Sequence, residues 1–115
     1  MPQSGRLSWS FLTNHAQVLL CIANDPGVRL REIGDAVGIT ERAAHRIVTE
    51  LADAGYISRR RVGRRNRYTI QSDLPIPDPL AREHRIGDLL ALLDRRGSPA
   101  GRATIGQPGT VARLD

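Results

Sequence analysis

Nine consecutive residues, 59 to 67, read RRRVGRRNR and hold six arginines with no acid among them. A guanidinium is permanently charged and presents its N–H donors in a planar fork, the geometry that meets a phosphate or a carboxylate with two hydrogen bonds at once. Packed this closely, such side chains suit the binding of a polyanion, not proton transfer or nucleophilic attack. Their number decides the charge of the whole chain. All 17 basic residues are Arg, set against 12 Asp and Glu for a net charge of +5 and an isoelectric point near 10.9. Outside the run, 11 arginines face those 12 acids, so the excess is one local patch, the pattern of a contact surface.

Other reactive side chains are too scattered to build a site. His15, His45 and His84 are far apart in sequence and none has a second ligand at metal-binding spacing; Cys21, the sole cysteine, has no partner for a disulfide and falls at a helical core position. Neither a metal nor a cofactor is expected. Glu83, His84 and Asp88 offer groups for proton transfer, but no glycine-rich loop or nucleophile motif accompanies them, and an enzyme is not expected. Trp9, Phe11, Tyr56 and Tyr68 are too few to stack the bases of single-stranded RNA. The longest apolar run, Val18 to Ala23, is far too short to span a bilayer, and the opening MPQSGR lacks the apolar core of a secretion signal. The expectation is a cytoplasmic protein with no membrane partner.

The elements that must position the arginines follow from periodicity. A chain of 115 residues with 40% hydrophobic content supports one domain. Residues 1–8 read as a flexible lead and 9–70 as the domain. From Trp9 on, Leu12, Val18, Leu19 and Ile22 fall at helical spacing, with Thr13, or Asn14 paired with Gln17, as the cap and Asn24-Asp25-Pro26-Gly27 as the stop. Val28 to Leu30 suits a brief strand. A second helix over 31–37 sets Ile33, Ala36 and Val37 on one face and ends at Gly38. Thr40 then caps a third helix running from Glu41 to Ala54, with Gly55 behind it. Its inward face is Ala44, Ile47, Val48 and Leu51; Arg42, His45, Arg46, Thr49 and Glu50 point outward. Two β segments, 56–61 and 67–70, flank the turn residues 62–66 and form a hairpin that carries the arginines. Strand alternation sends Arg59 and Arg61 to one side and Arg60 to the other, so that about three or four of the six can meet one partner.

Beyond the hairpin, residues 71–79 (QSDLPIPDP) hold three prolines and read as a linker. Asp78-Pro79 supplies a cap and a first-turn proline to a fourth helix over 80–96, in which Leu80, Ile86, Leu89, Leu90 and Leu93 recur at helical spacing. That stripe either folds back onto its own domain or pairs with a second copy. Residues 97–115, with four Gly and two Pro, are expected to be disordered. The fold class is therefore mostly α with a small β-hairpin: three helices, a basic hairpin and a C-terminal helix.

The order of these elements, and the stretch LREIGDAVGITERAAHRIVTELADAGYISR over residues 30–59 with VGRRNRY behind it, resembles the winged helix-turn-helix of the MarR and ArsR classes of regulator. The likeness covers roughly residues 10 to 70. A major groove about 12 Å wide accepts one helix, which the preceding helix braces against the DNA backbone. The resemblance implies that Thr40, Arg42, Ala43, His45, Arg46 and Thr49 face DNA. It also implies a wing whose Arg64 and Arg65 reach the minor groove or its flanking phosphates, with Arg59, Arg60, Arg61 and Arg67 adding charge and Asn66 a hydrogen bond. Ala43 and His45 depart from the family pattern, where Thr or Ser and a smaller Ser are usual, so base specificity does not carry over. Flanking helices in such proteins often dimerise, which implies a homodimer through Leu80, Ile86, Leu89, Leu90 and Leu93 that reads two half-sites. The function expected is sequence-specific binding of double-stranded DNA by a transcriptional regulator; the alternative is an adaptor that docks an acidic protein on its basic hairpin. The sequence leaves a small-molecule effector unassigned; the linker and the last helix are where a pocket for one would be sought.

Overall fold

A computed structural model describes residues 7–94. The expected tail over 97–115 and most of the expected lead lie outside the described residues. Three helices come first: α1 (Asn14–Asn24), α2 (Leu30–Val37) and α3 (Glu41–Asp53). The strands β1 (Ile57–Val62) and β2 (Arg65–Ile70) follow, and then α4 (Ile86–Leu92).

Local chemistry explains most of the boundaries. Of the two candidate caps for α1, Thr13 serves: its Oγ1 accepts the Ala16 N–H at 3.1 Å. Trp9, Phe11 and Leu12 precede that cap and lie outside the helix. Val28 to Leu30 forms no strand. Leu30 is already helical, because Glu32 Oε1 accepts the Arg29 N–H at 2.9 Å and starts α2 there. One sheet-like bond survives beside this segment, from the Tyr68 N–H to the Pro26 carbonyl at 2.9 Å.

Between α2 and α3 the chain reverses at Gly38, whose φ of +85° glycine adopts without strain. The Ile39 N–H returns to the Gly34 carbonyl at 3.0 Å, and the turn closes so tightly over α2 that a Cβ on Gly34 would stand 2.8 Å from the Ile39 carbonyl oxygen. Thr40 caps α3 by accepting the Ala43 N–H at 3.0 Å. At the other end Gly55, with φ of +87°, lets the Tyr56 N–H reach back to the Leu51 carbonyl at 2.9 Å.

The core joins Val18, Leu19 and Ile22 of α1, Ile33 of α2, Ala44, Ile47 and Val48 of α3, Ile57 and Tyr68 at the base of the hairpin, and Ile86 of α4. Each large aliphatic side chain buried this fully contributes about 1.5–3 kcal/mol of transfer free energy. The expected faces need three adjustments: Leu51 and Val37 are only half-buried, and Ala36, expected inward with Ile33 and Val37, is exposed.

The hairpin is longer and tighter than its sequence suggests. Strands pair antiparallel from Ile57↔Ile70 to Val62↔Arg65, leaving Gly63-Arg64 as a two-residue turn in place of the expected connection over 62–66. Gly63 has φ of +63°, which such a turn requires at its first position.

Residues 71–85 contain no helix or paired strand, yet they are fastened down. Tyr56 Oη donates to the Pro75 carbonyl at 3.1 Å, the Ile76 N–H to the His84 carbonyl at 2.9 Å, and the Ile86 N–H to the Leu74 carbonyl at 2.8 Å. That return pairing overrules the helix start expected at Asp78-Pro79. Asp78 Oδ1 does accept the Leu80 N–H, at 3.4 Å, but the chain continues as successive turns. Asp88 Oδ2, holding the Arg85 N–H at 3.0 Å, starts α4 at Ile86. Of the expected helix over 80–96, residues 80–85 and 93–94 are therefore not helical, and residues 95–96 lie outside the described residues.

Candidate nucleic-acid interface

The third helix presents its polar side to solvent. Thr40, Arg42, His45 and Arg46 are exposed, while Ala43 and Thr49 are half-buried against the body of the domain. Thr40 spends an acceptor lone pair on its cap and keeps its hydroxyl hydrogen for an outward donor bond. Arg42 and Arg46, one helical turn apart, share one face.

Cross-strand pairing sorts the hairpin side chains. Arg59, Arg61 and Asn66 share the face of Ile57, Tyr68 and Ile70, which is buried at its base. Arg60, Arg65 and Arg67 share the opposite face with Ser58, Val62 and Thr69. The expected set of Arg59, Arg61, Arg64, Arg65, Asn66 and Arg67 is thus divided between two faces and the turn. A Cβ on Gly27 would lie 3.8 Å from Arg67 Nη1, so that guanidinium is turned toward the loop after α1.

An open groove of about 520 Å³ joins hairpin and helices. Its lining includes Arg64, Arg65 and Asn66 of the hairpin, Glu41 at the start of α3, and Arg29 and Arg31 at the start of α2. Wing tip and third-helix start therefore stand on a common surface. Arg29 and Arg31 were not expected there. Their signal in the sequence is weak, since they are interrupted by Leu30 and followed by Glu32; only the fold carries them beside the hairpin.

Within α3, Glu50 ties the outward face to α1. Its Oε1 accepts from His15 Nε2 at 2.6 Å and its Oε2 from Arg46 Nη1 at 3.3 Å. The His15 hydrogen bond, helped by the charge of Arg46, holds the Glu50 carboxyl below the ordinary glutamate range. Burial pushes the Cys21 thiol up, which keeps it in its unreactive protonated form. Among the described residues no three His, Cys, Asp or Glu side chains group as metal ligands would, and no helix is long and apolar enough to cross a membrane.

Of the residues expected to pair two copies, Ile86 is 4% exposed and packs inside the domain's own core; Leu89, Leu90 and Leu93 are half-buried, and Leu80, off the helix, is 93% exposed.

The sequence pattern of the MarR family matches residues 10–67, half of the chain. The chain belongs to the MarR family. Members of that family are winged-helix transcriptional regulators, not enzymes, and the helices of this chain with their one antiparallel hairpin have the winged-helix arrangement. No curated protein sequence matches the chain. Among solved structures, it is similar to a MarR family protein of Mycobacterium tuberculosis in complex with salicylic acid, with 26% identity over 52% of this chain and 47% of that one and a TM-score of 0.44. This family member therefore spans under half the length of that protein.

Proposed function

We propose that this MarR family member binds double-stranded DNA with the outward side of α3 in the major groove and the arginine wing on the backbone or minor groove beside it. One observation supports the reading: Arg64 and Arg65 of the wing tip line the same groove as Glu41, the first residue of α3, which sets the wing beside the end of the helix that would enter the major groove. Arg42 and Arg46 are the base readers, since a guanidinium donates to both O6 and N7 of guanine. Thr40 donates to phosphate. Arg29 and Arg31 extend the phosphate track beyond the residues read from the sequence.

Two copies on a two-fold operator complete the proposal. With Ile86 in the domain's own core and Leu90 packed against that core, exposed Leu80 and half-buried Leu89 and Leu93 are the residues we propose for the contact between them. A regulator of this kind works in the cytoplasm.

The test is binding of a duplex enriched by the protein from a randomised pool, followed by fluorescence anisotropy across a salt series. Log affinity is expected to fall linearly with log salt, by about 0.9 per phosphate neutralised. Retention of no duplex, or binding that is indifferent to salt, overturns the reading; recovery of an acidic protein instead, insensitive to nuclease, would point to the adaptor.

A further inference from the structure

Arg46 and Glu50 stand one turn apart on α3, and His15 reaches Glu50 from α1. We infer that Glu50 is a positioning residue for Arg46, itself anchored by His15, so that base discrimination by α3 depends on a histidine of another helix. The inference rests on the DNA-binding reading above.

Glu50 Oε1 takes the bond from His15, and Arg46 Nη1 reaches both carboxylate oxygens, Oε2 at 3.3 Å more closely than Oε1 at 3.5 Å. An ionised carboxylate can only accept, so the proton on the 2.6 Å bond belongs to His15 Nε2, which donates to Oε1. A charge-assisted bond of that length fixes the carboxylate in place. The other oxygen is thereby presented at a set point above α3, and Arg46 Nη1 meets it at 3.3 Å. A glutamate tied only to its own helix would rotate freely and carry the arginine with it. This one is held to α1.

The arrangement is poorly explained as support for the helix. Arginine preceding glutamate by four residues is the weaker of the two orientations for such a pair. The Arg46 side chain is 62% exposed and that of Glu50 48%, where a surface ion pair contributes little. What the pair does control is where a long, flexible guanidinium spends its time.

On a surface that meets DNA, an untethered Arg46 finds phosphates at every sequence. The Glu50 carboxylate opposes that in two ways: it occupies the guanidinium, and its own charge repels phosphates that approach it. A base edge with two acceptors offers the replacement bonds that release Arg46 at the right sequence. General affinity is given up for discrimination.

The test compares two duplexes on the full chain: one enriched by the wild-type protein and one of equal length and scrambled sequence. Glu50→Gln and His15→Phe are each expected to lower the ratio of the two affinities about tenfold, mainly by tighter binding of the scrambled duplex. His15→Gln, whose amide nitrogen stands in for Nε2, is expected to keep the ratio within about twofold, and in an Arg46→Ala background Glu50→Gln should have no effect of its own. An unchanged ratio in Glu50→Gln overturns the inference, as does a loss of equal size in the Arg46→Ala background, which would make Glu50 a structural residue. If the wild-type protein enriches no duplex at all, the DNA-binding reading falls first and this one with it.

Discussion

Arg46 and the arginines of the wing carry the same guanidinium on different mountings. Beneath Arg46 lies a helix pinned by Ala44, Ile47 and Val48, each at most 1% exposed, and beside it a carboxylate anchored to α1. The wing arginines ride on a two-stranded ribbon in which every β1 residue beyond Ile57 is exposed. Among the described residues none of the six makes an ion pair. A side chain that must find two acceptors on one base needs a fixed origin, whereas a side chain that answers to the field of a phosphate chain does not. Under the proposed binding of DNA, the two regions are suited to different parts of one task, discrimination on the helix and general affinity on the ribbon.

Four changes break or sharpen that contrast. The largest effect is expected from Gly34→Val, which forces a branched side chain against the Ile39 carbonyl and pries α3 from its platform. Although a glycine inside a helix is ordinarily a cost, this replacement should destabilise the fold by about 3 kcal/mol, read from urea denaturation. Arg46→Ala should remove about 2 kcal/mol of discrimination at one base pair and leave the salt dependence nearly intact, as measured by competition among single-base variants of the enriched duplex. Arg64→Ala with Arg65→Ala should do the converse: affinity falls for all sequences, and the salt slope flattens by about 1.8. If the two variants behave alike, the division of labour is wrong.

The smallest effect is a titration. Glu50 is held below the ordinary glutamate range by the His15 bond first. Its folded-state value is depressed, so its contribution to stability is present above the unfolded-state value and fades as pH falls through the folded one. Carbon-detected NMR should find Glu50 titrating lower than an ordinary glutamate, and His15→Phe should move it back up.

Much of this was legible in the sequence wherever the cause is local. A cap needs only a hydroxyl and the next turn, so Thr40 could be read directly; Thr13 could be read as one of two candidates. Gly38 and Gly55 announce helix ends because their positive φ is a property of the residue itself. The wing announced itself by charge. Failures came where two distant segments compete for one stretch of chain. Asp78-Pro79 is a sound helix start, yet pairing of residues 74–76 with 84–86 takes the backbone first. Arg29 and Arg31 look unremarkable until the turn after α1 brings them beside Arg64 and Arg65. Nothing in the sequence singles out Gly34, and only the returning chain at Ile39 explains why no larger residue fits.

By itself, then, the order of residues determined which segments are helical near their caps, where the chain must reverse and where positive charge accumulates, since each of these depends on neighbours a turn or less away. Tertiary structure alone decided that His15 and Glu50, 35 positions apart, meet across two helices, that the wing tip borders the start of α3, and that Ile86 belongs to the core. Burial and hydrogen bonding between distant segments are settled by what else the folded chain offers each group, and no window of sequence contains that competition.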